Sequence, residues 1–352
     1  MVKAALSRAG IHLPANRSFE KELSQLEALS GREPDEAALE KVRRALGSEN
    51  NYLVAKAAGI VTSHGLSLLL PEVLSAFDRF FLDPIRTDPQ CWAKNALVKS
   101  LVKLECCDAT VYLRGLRHTQ EEPVWGGHSD TAGTLRAFCT QALVSCDGLT
   151  DTALLNIFLE PFLDEDKTVR MEAARAIGQV GGSSAALLLK LRVLIRKEDP
   201  EVLGACFSAL LGMEHADRLG TISLVADFLD NGEEAAAEAA FALAETHDPV
   251  ALAALVERRR KGADVWFASV LDQAIVLSRL PEAMDFLLGV IEKDARQAAS
   301  ALEAISRVHS SAEVRSRVAL AVARARNERV SLAFHQYFPE SGQQAAPNPR
   351  LA

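Results

Sequence analysis

The sequence has no surplus of positive charge: 39 Lys and Arg stand against 47 Asp and Glu, a formal net charge of −8. That argues against nucleic acid as the main partner, because phosphate binding needs a basic surface. There is no run of about 18 consecutive apolar residues, so no bilayer-spanning helix is expected. The opening MVKAALSRAGIHLP leads into no long apolar stretch, so no secretory signal is expected and the chain reads as soluble and cytoplasmic. The six cysteines, at 91, 106, 107, 139, 146 and 206, form no CxxC pair, and a disulfide framework is not expected. Vicinal Cys106 and Cys107 read as a helix end whose thiols pack, the alternative being a redox or metal site. Motifs with a mechanism are missing too: no GxxxxGK[ST] phosphate cradle, no GxGxxG, no GxSxG elbow and no HExxH. The eight histidines are scattered singly and none is followed by Glu. No catalytic residue, metal or cofactor is assigned.

What the sequence does have is a repeat, clearest in Asp164 to Gly182, DEDKTVRMEAARAIGQVGG. Val169, Ala173, Ala176 and Ile177 stand at i, i+4, i+7 and i+8, one stripe of a helix, while Arg170, Glu172 and Arg175 point elsewhere. Asp166 can cap the start and Gly181-Gly182 can end it. A step of 33 residues turns the stripe into Val202, Cys206, Ala209 and Leu210, and a second such step into Ala235, Ala239, Ala242 and Leu243. Stepping back 34 gives Leu135, Cys139, Ala142 and Leu143, with Arg136 in the place of Arg170. A fixed period of this length marks a repeat array, and small residues at two positions let neighbouring helices approach closely. Between these helices lie apolar segments about three turns long, Thr150 to Leu163, Ser184 to Arg196 and Leu219 to Leu229. Each repeat therefore reads as two antiparallel helices and no strand.

This pattern resembles HEAT repeats. The likeness is carried by Asp166, Val169-Arg170, Ala173-Ala174 and Ala176-Ile177-Gly178, and covers about residues 130 to 245. The resemblance implies an all-α fold, an α-solenoid of stacked antiparallel helix pairs, and no single activity. HEAT-like deoxyhypusine hydroxylases hold a di-iron centre with His-Glu dipeptides, which this chain lacks. HEAT-like DNA glycosylases use a basic channel with aromatic residues, whereas this chain is acidic with three Trp. Phycobilin lyases of this type are similar at the level of the repeat, but no bilin-handling residue can be matched by position.

Taken in order, residues 1–126 read as degenerate repeats ending in a long loop, 127–280 as regular repeats, 281–338 as capping helices and 339–352 as a disordered tail. Residues 1–16 read as a loosely held arm, and Pro34-Asp35 as a helix start. Pro71 implies a kink or a helix start, and Asp88-Pro89, Asp199-Pro200 and Asp248-Pro249 read as helix starts. Arg258-Arg259-Arg260-Lys261 reads as a solvated helix end, and Arg315 to Arg326 as a polar cap on a last helix. Three closing helices are expected from Asp285 to Arg326.

The most irregular place is Thr119 to Asp130, TQEEPVWGGHSD, about a dozen residues where other links need three to five. Long loops on rigid scaffolds often carry recognition, so Glu121, Glu122, Trp125 and His128 are candidate binding residues. In the plainer reading Trp125 folds back to plug the groove between helices; a third has His118 and His128 hold a metal. Arg136 and Arg170 join the candidates as a two-rung ladder, broken by Leu203 and Ala236, whose plainer reading is a bridge to Asp166 or Asp199. The leading expectation is a non-catalytic scaffold or adaptor that binds an unidentified protein on a concave face. The alternative is an enzyme or accessory factor of the HEAT-like lyase type acting on a modified protein or pigment.

Overall fold

A computed structural model describes residues 17–29, 35–214, 217–230, 233–309 and 311–339. The expected N-terminal arm, Pro34 and the tail beyond Pro339 lie outside them. The chain is all-α, 76% helical with 20 α-helices among the described residues and almost no sheet. No helix there is long and apolar enough to cross a membrane. The chain divides into two compact units, residues 1–176 and 177–352.

The first unit runs α1 (Arg17–Glu27), α2 (Glu36–Leu46), α3 (Asn51–His64), α4 (Leu70–Arg79), the single turn α5 (Pro84–Thr87), α6 (Trp92–Lys103) and α7 (Ala109–Leu116). A hairpin of β1 (Glu121–Val124) and β2 (Gly127–Asp130) follows, then α8 (Gly133–Leu143), α9 (Asp151–Phe162) and α10 (Lys167–Val180), in which the division between the units falls. Local chemistry sets these bounds. Asn50 accepts from the free amides of Tyr52 and Leu53 to start α3, and Gly65, at φ 61°, ends it. Pro71 sits in the first turn of α4, so the helix starts there and is not kinked. Helix α3 lies close against α6 across the small residues Ala57 and Ala58, and Ser100 Oγ donates to the Ala58 carbonyl at 2.8 Å. Helix α7 settles on α8 because Gly115 has no side chain: a Cβ there would run into Cys139 Sγ.

The second unit contains α11 (Gly182–Ile195), α12 (Pro200–Gly212), α13 (Arg218–Ala226), α14 (Glu233–Glu245), α15 (Pro249–Arg260), α16 (Val265–Leu277), α17 (Pro281–Lys293), α18 (Ala298–Val308), α19 (Ala312–Ala325) and α20 (Glu328–Tyr337). Their order is serial: α12 packs on α14, α14 on α16, α16 on α18 and α18 on α20. Sequential neighbours α15 and α16, α17 and α18, and α19 and α20 also pack together. The repeat stripe is the buried side of these helices. Val202, Cys206, Leu210, Ala239, Ala242 and Leu243 are buried, while Ala209 is half-buried and Ala236 replaces Ala235 inside. Gly178 is what lets Ala209 approach, since a Cβ at 178 would stand 2.7 Å from the Ala209 Cβ.

Three expectations change. A fourth closing helix, α20, follows α19, so the arginines of α19 do not lie on the last helix: Arg317 bonds Asp285 at 2.8 Å and Arg324 bonds Glu292 at 3.1 Å, both on α17. The basic run at the end of α15 is a solvated terminus only in part, with Arg260 and Lys261 exposed. Arg259 is buried in a two-pronged pair with Asp272 (2.8 and 3.1 Å), Arg258 pairs with Asp230, and Lys261 with Glu257. Of the Asp-Pro pairs, Asp248 caps its helix through the Val250 amide (2.8 Å), Asp199 makes no cap bond, and Asp88 has a different role described below.

Candidate functional site

The stretch Thr119 to Asp130 is a β-hairpin and not an irregular loop. Glu121 pairs with Asp130, Glu122 with Ser129, Pro123 with His128 and Val124 with Gly127, which leaves Trp125-Gly126 as a two-residue tip. Gly126 takes φ 93°, a conformation open to glycine. Trp125 does not fold back between helices. Its relative exposure is 104%, Val124 beside it is 49% exposed, and Glu121 and His128 are exposed as well.

Beneath this apolar tip the hairpin is held by buried polar contacts. Asp130 Oδ1 accepts from the amides of Gln120 (2.9 Å) and Ala132 (3.0 Å), closing the base. Glu122 points inward: its Oε1 accepts from the Gln90 amide (2.5 Å), Gln120 Nε2 (2.6 Å) and Thr131 Oγ1 (2.8 Å). Gln120 also donates to the Asp88 carbonyl at 2.9 Å and accepts from the Cys91 thiol at 3.3 Å. Asp88 and Lys94 are both fully buried, 3.0 Å apart. The Asp88 carboxylate further accepts from the amides of Ala93 (2.8 Å) and Lys94 (3.0 Å) and from Asn51 Nδ2 (3.1 Å), while Lys94 Nζ donates to the Phe80 carbonyl at 3.2 Å. Asp88 thus ties together α3, α6 and the hairpin, a larger task than capping one helix. Gln90 and Cys91 have left-handed φ of 60° and 53°, strain tolerated because it aims the Gln90 amide at Glu122.

Arg136 and Arg170 do not form a ligand ladder. Arg136 is buried and grips Asp164 with two bonds (2.7 and 2.9 Å), Asp130 with one (2.5 Å) and the His118 carbonyl at 3.1 Å. Arg170 donates to the carbonyls of Asp164 (2.7 Å) and Glu165 (2.8 Å). Both arginines meet at Asp164, Arg136 through its carboxylate and Arg170 through its carbonyl, and Arg136 fixes the hairpin base to the turn that precedes α10.

The electrostatics fit a fixed support. Burial opposes ionisation of Glu122, but the Gln90 amide, Gln120, Thr131 and the Lys94 charge together bring it below the usual carboxylate range. Asp130 is lowered likewise, against burial, by the Gln120 and Ala132 amides and Arg136. Burial lowers His118, which bonds Gln120 at 3.1 Å and meets the Phe81 ring edge-on. Burial raises Cys91 to about 11, so it carries no thiolate at neutral pH. Cys106 is half-buried and Cys107 exposed in the link after α6, both as free thiols. Among the described residues no group of three or more His, Cys, Asp or Glu could hold a metal ion.

Six candidates named from sequence thus divide. Glu121, Trp125 and His128 are presented outward, while Glu122, Arg136 and Arg170 hold the platform. The residues that sequence reading missed are Gln120, Gln90, Cys91 and Lys94. Asp88 was visible as a turn signal, and the Gly126-Gly127 pair between short segments is the signal that a hairpin was possible.

No protein-family model matches the chain, and no curated protein matches it.

Proposed function

We propose that the chain is a HEAT-like α-solenoid that works as a non-catalytic scaffold or adaptor, binding a protein partner on its concave face with the Trp125 hairpin as a contact. The serial packing within the second unit and the 33-residue pattern support the solenoid reading. The observation that carries the function is Trp125, wholly exposed at the tip of a hairpin whose base is fixed by buried hydrogen bonds. Tryptophan is enriched among residues that dominate binding energy, and a pre-ordered support reduces the ordering cost of association. Nucleic acid is a poor fit to a net charge of −8.

The test is affinity capture from a lysate of the native organism beside the Trp125→Ala variant, with mass spectrometry and circular dichroism. A specific protein retained by wild type and weakened about tenfold or more by the variant at equal helicity is expected. Equal retention by both removes the hairpin from the account.

A further inference from the structure

The second unit carries another feature, independent of the hairpin. An open groove of about 810 Å³ runs between α15 and α17. Helix α13 packs on α15 and α17 packs on α19, but α15 and α17 make no comparable contact with each other. The middle of the groove is lined by Leu252, Ala253 and Val256 from one helix and Phe286, Gly289 and Val290 from the other. Arg259, in the last turn of α15, donates to Gln297 just past the end of α17, so the C-terminal ends of the two helices lie together. Its other nitrogens are held by Asp272, which also accepts from Ser300 at 2.8 Å, so this end is fixed in advance.

The charges are sorted by end. Arg260 and Lys293 stand at the C-terminal end, with one carboxylate, Asp294, which already accepts from the Arg296 amide at 3.0 Å. Glu282 and Asp285 stand at the opposite end, and Asp285 is engaged by Arg317 at 2.8 Å. Glu282 and Lys293 are exposed and make no ion pair with any described residue. A small molecule is a poor match, because ligand cavities enclose most of their occupant and this groove is open along its length. A helix is a good match. The 12 residues of α15 give the groove a length of about 18 Å, over three turns of an amphipathic helix.

We propose that this groove docks an amphipathic helix of a partner protein, antiparallel to α15 and α17, acidic in its first turn and basic in its last. Its apolar stripe meets the middle of the groove. Its acidic first turn faces Arg260 and Lys293, its basic last turn faces Glu282, and its dipole opposes those of the two flanking helices.

The experiment uses the full chain and two synthetic 14-residue helical peptides with the same apolar stripe, one acidic-first and one charge-reversed, read by fluorescence anisotropy at low salt. The acidic-first peptide is expected to bind about tenfold tighter or better. Gly289→Trp should abolish binding of both peptides, because Gly289 lines the groove and a Cβ built there meets nothing within 4 Å, so the indole projects from open groove space; a melting curve checks that the fold is kept. The double variant Glu282→Lys, Lys293→Glu should invert the preference, with a melting curve to confirm folding. No binding, equal binding, or an unchanged preference in the double variant overturns the proposal. If Gly289→Trp converts a dimer to a monomer in sedimentation, the groove belongs to a second copy. Peptide binding seen only after removal of residues 340–352 assigns it to the chain's own C-terminal segment. Either result also overturns the partner helix.

Discussion

The hairpin of the first unit and the groove of the second both face solvent, and they are held in opposite ways. Under the hairpin, Asp88, Lys94, Gln120, Glu122 and Arg136 are buried, and each is placed by named hydrogen bonds. Around the groove, the helices are positioned by apolar and small side chains at repeating spacing, with one buried ion pair, Arg259 to Asp272, at the end. A polar support fixes direction, because each bond tolerates little misalignment. Apolar packing fixes distance and leaves some freedom along the helix. An anchored tip and an adaptable groove are the respective results, and the contrast can be broken by substitution.

The largest effect is expected at the buried pair. Lys94→Met keeps the side-chain volume but leaves the Asp88 carboxylate without its counter-charge in a fully buried site. Removing one member of such a pair should cost about 3 kcal/mol. Urea unfolding of the full chain measures it, and adding Asp88→Asn to Lys94→Met should recover part of the loss because the second charge is then gone too. A loss below about 1 kcal/mol would mean that the network does not carry the first unit.

The corresponding break in the second unit is steric. Gly178→Ala puts a methyl 2.7 Å from the Ala209 Cβ and 3.2 Å from its backbone, and neither can swing away. Overpacking of this kind costs about 1–3 kcal/mol, of which the better helix propensity of Ala returns about 1. A net loss in the same unfolding assay is expected. A gain would show that the two helices are free to separate, contrary to the packing described.

These two sites also mark how far the sequence could be read. Val202, Cys206 and Leu210 recur at spacing that any buried helix must obey, so the helical pattern and the small-residue contact are legible before any coordinates. The hairpin reads as a loop in the sequence because its strands, EEPV and GHSD, contain few strand-forming residues and one proline. The hairpin is held by the inward turn of Glu122 onto Gln120 and Thr131 at its own base and onto Gln90 from a distant segment, contacts that no periodicity reports. Arg136 and Arg170 were visible as a pair, yet their shared partner Asp164 emerged only from the fold. Sequence patterning reports faces of elements; it does not report which polar groups meet when elements converge.

Acid should distinguish the two supports by a smaller, graded effect. Glu122 and Asp130 are lowered in the folded chain, so their contribution is fully present above their ordinary values of 4.5 and 3.8 and is lost as pH falls through the lowered ones. His118 is lowered from 6.5 by burial, so stability also declines as pH drops below 6.5 toward its folded value. The urea midpoint should therefore fall from pH 6.5 downward and more steeply below 4.5. Glu122→Gln should flatten the lower part of that curve, whereas Gly178→Ala should shift the whole curve and leave its shape unchanged.

The smallest effect should have the opposite sign. Gly289 lies within α17, has an ordinary helical backbone, and faces open space where a Cβ would meet nothing within 4 Å. Glycine inside a helix costs about 0.5–1 kcal/mol relative to alanine, so Gly289→Ala should stabilise the chain by that amount. Set against Gly178→Ala, it isolates the cause: the same change of residue destabilises where a neighbouring helix occupies the space and stabilises where the groove is empty. If Gly289→Ala were as costly as Gly178→Ala in the unfolding assay, the groove would be closed in solution by something that already fills it, and the helix-docking proposal would have to begin from that occupant.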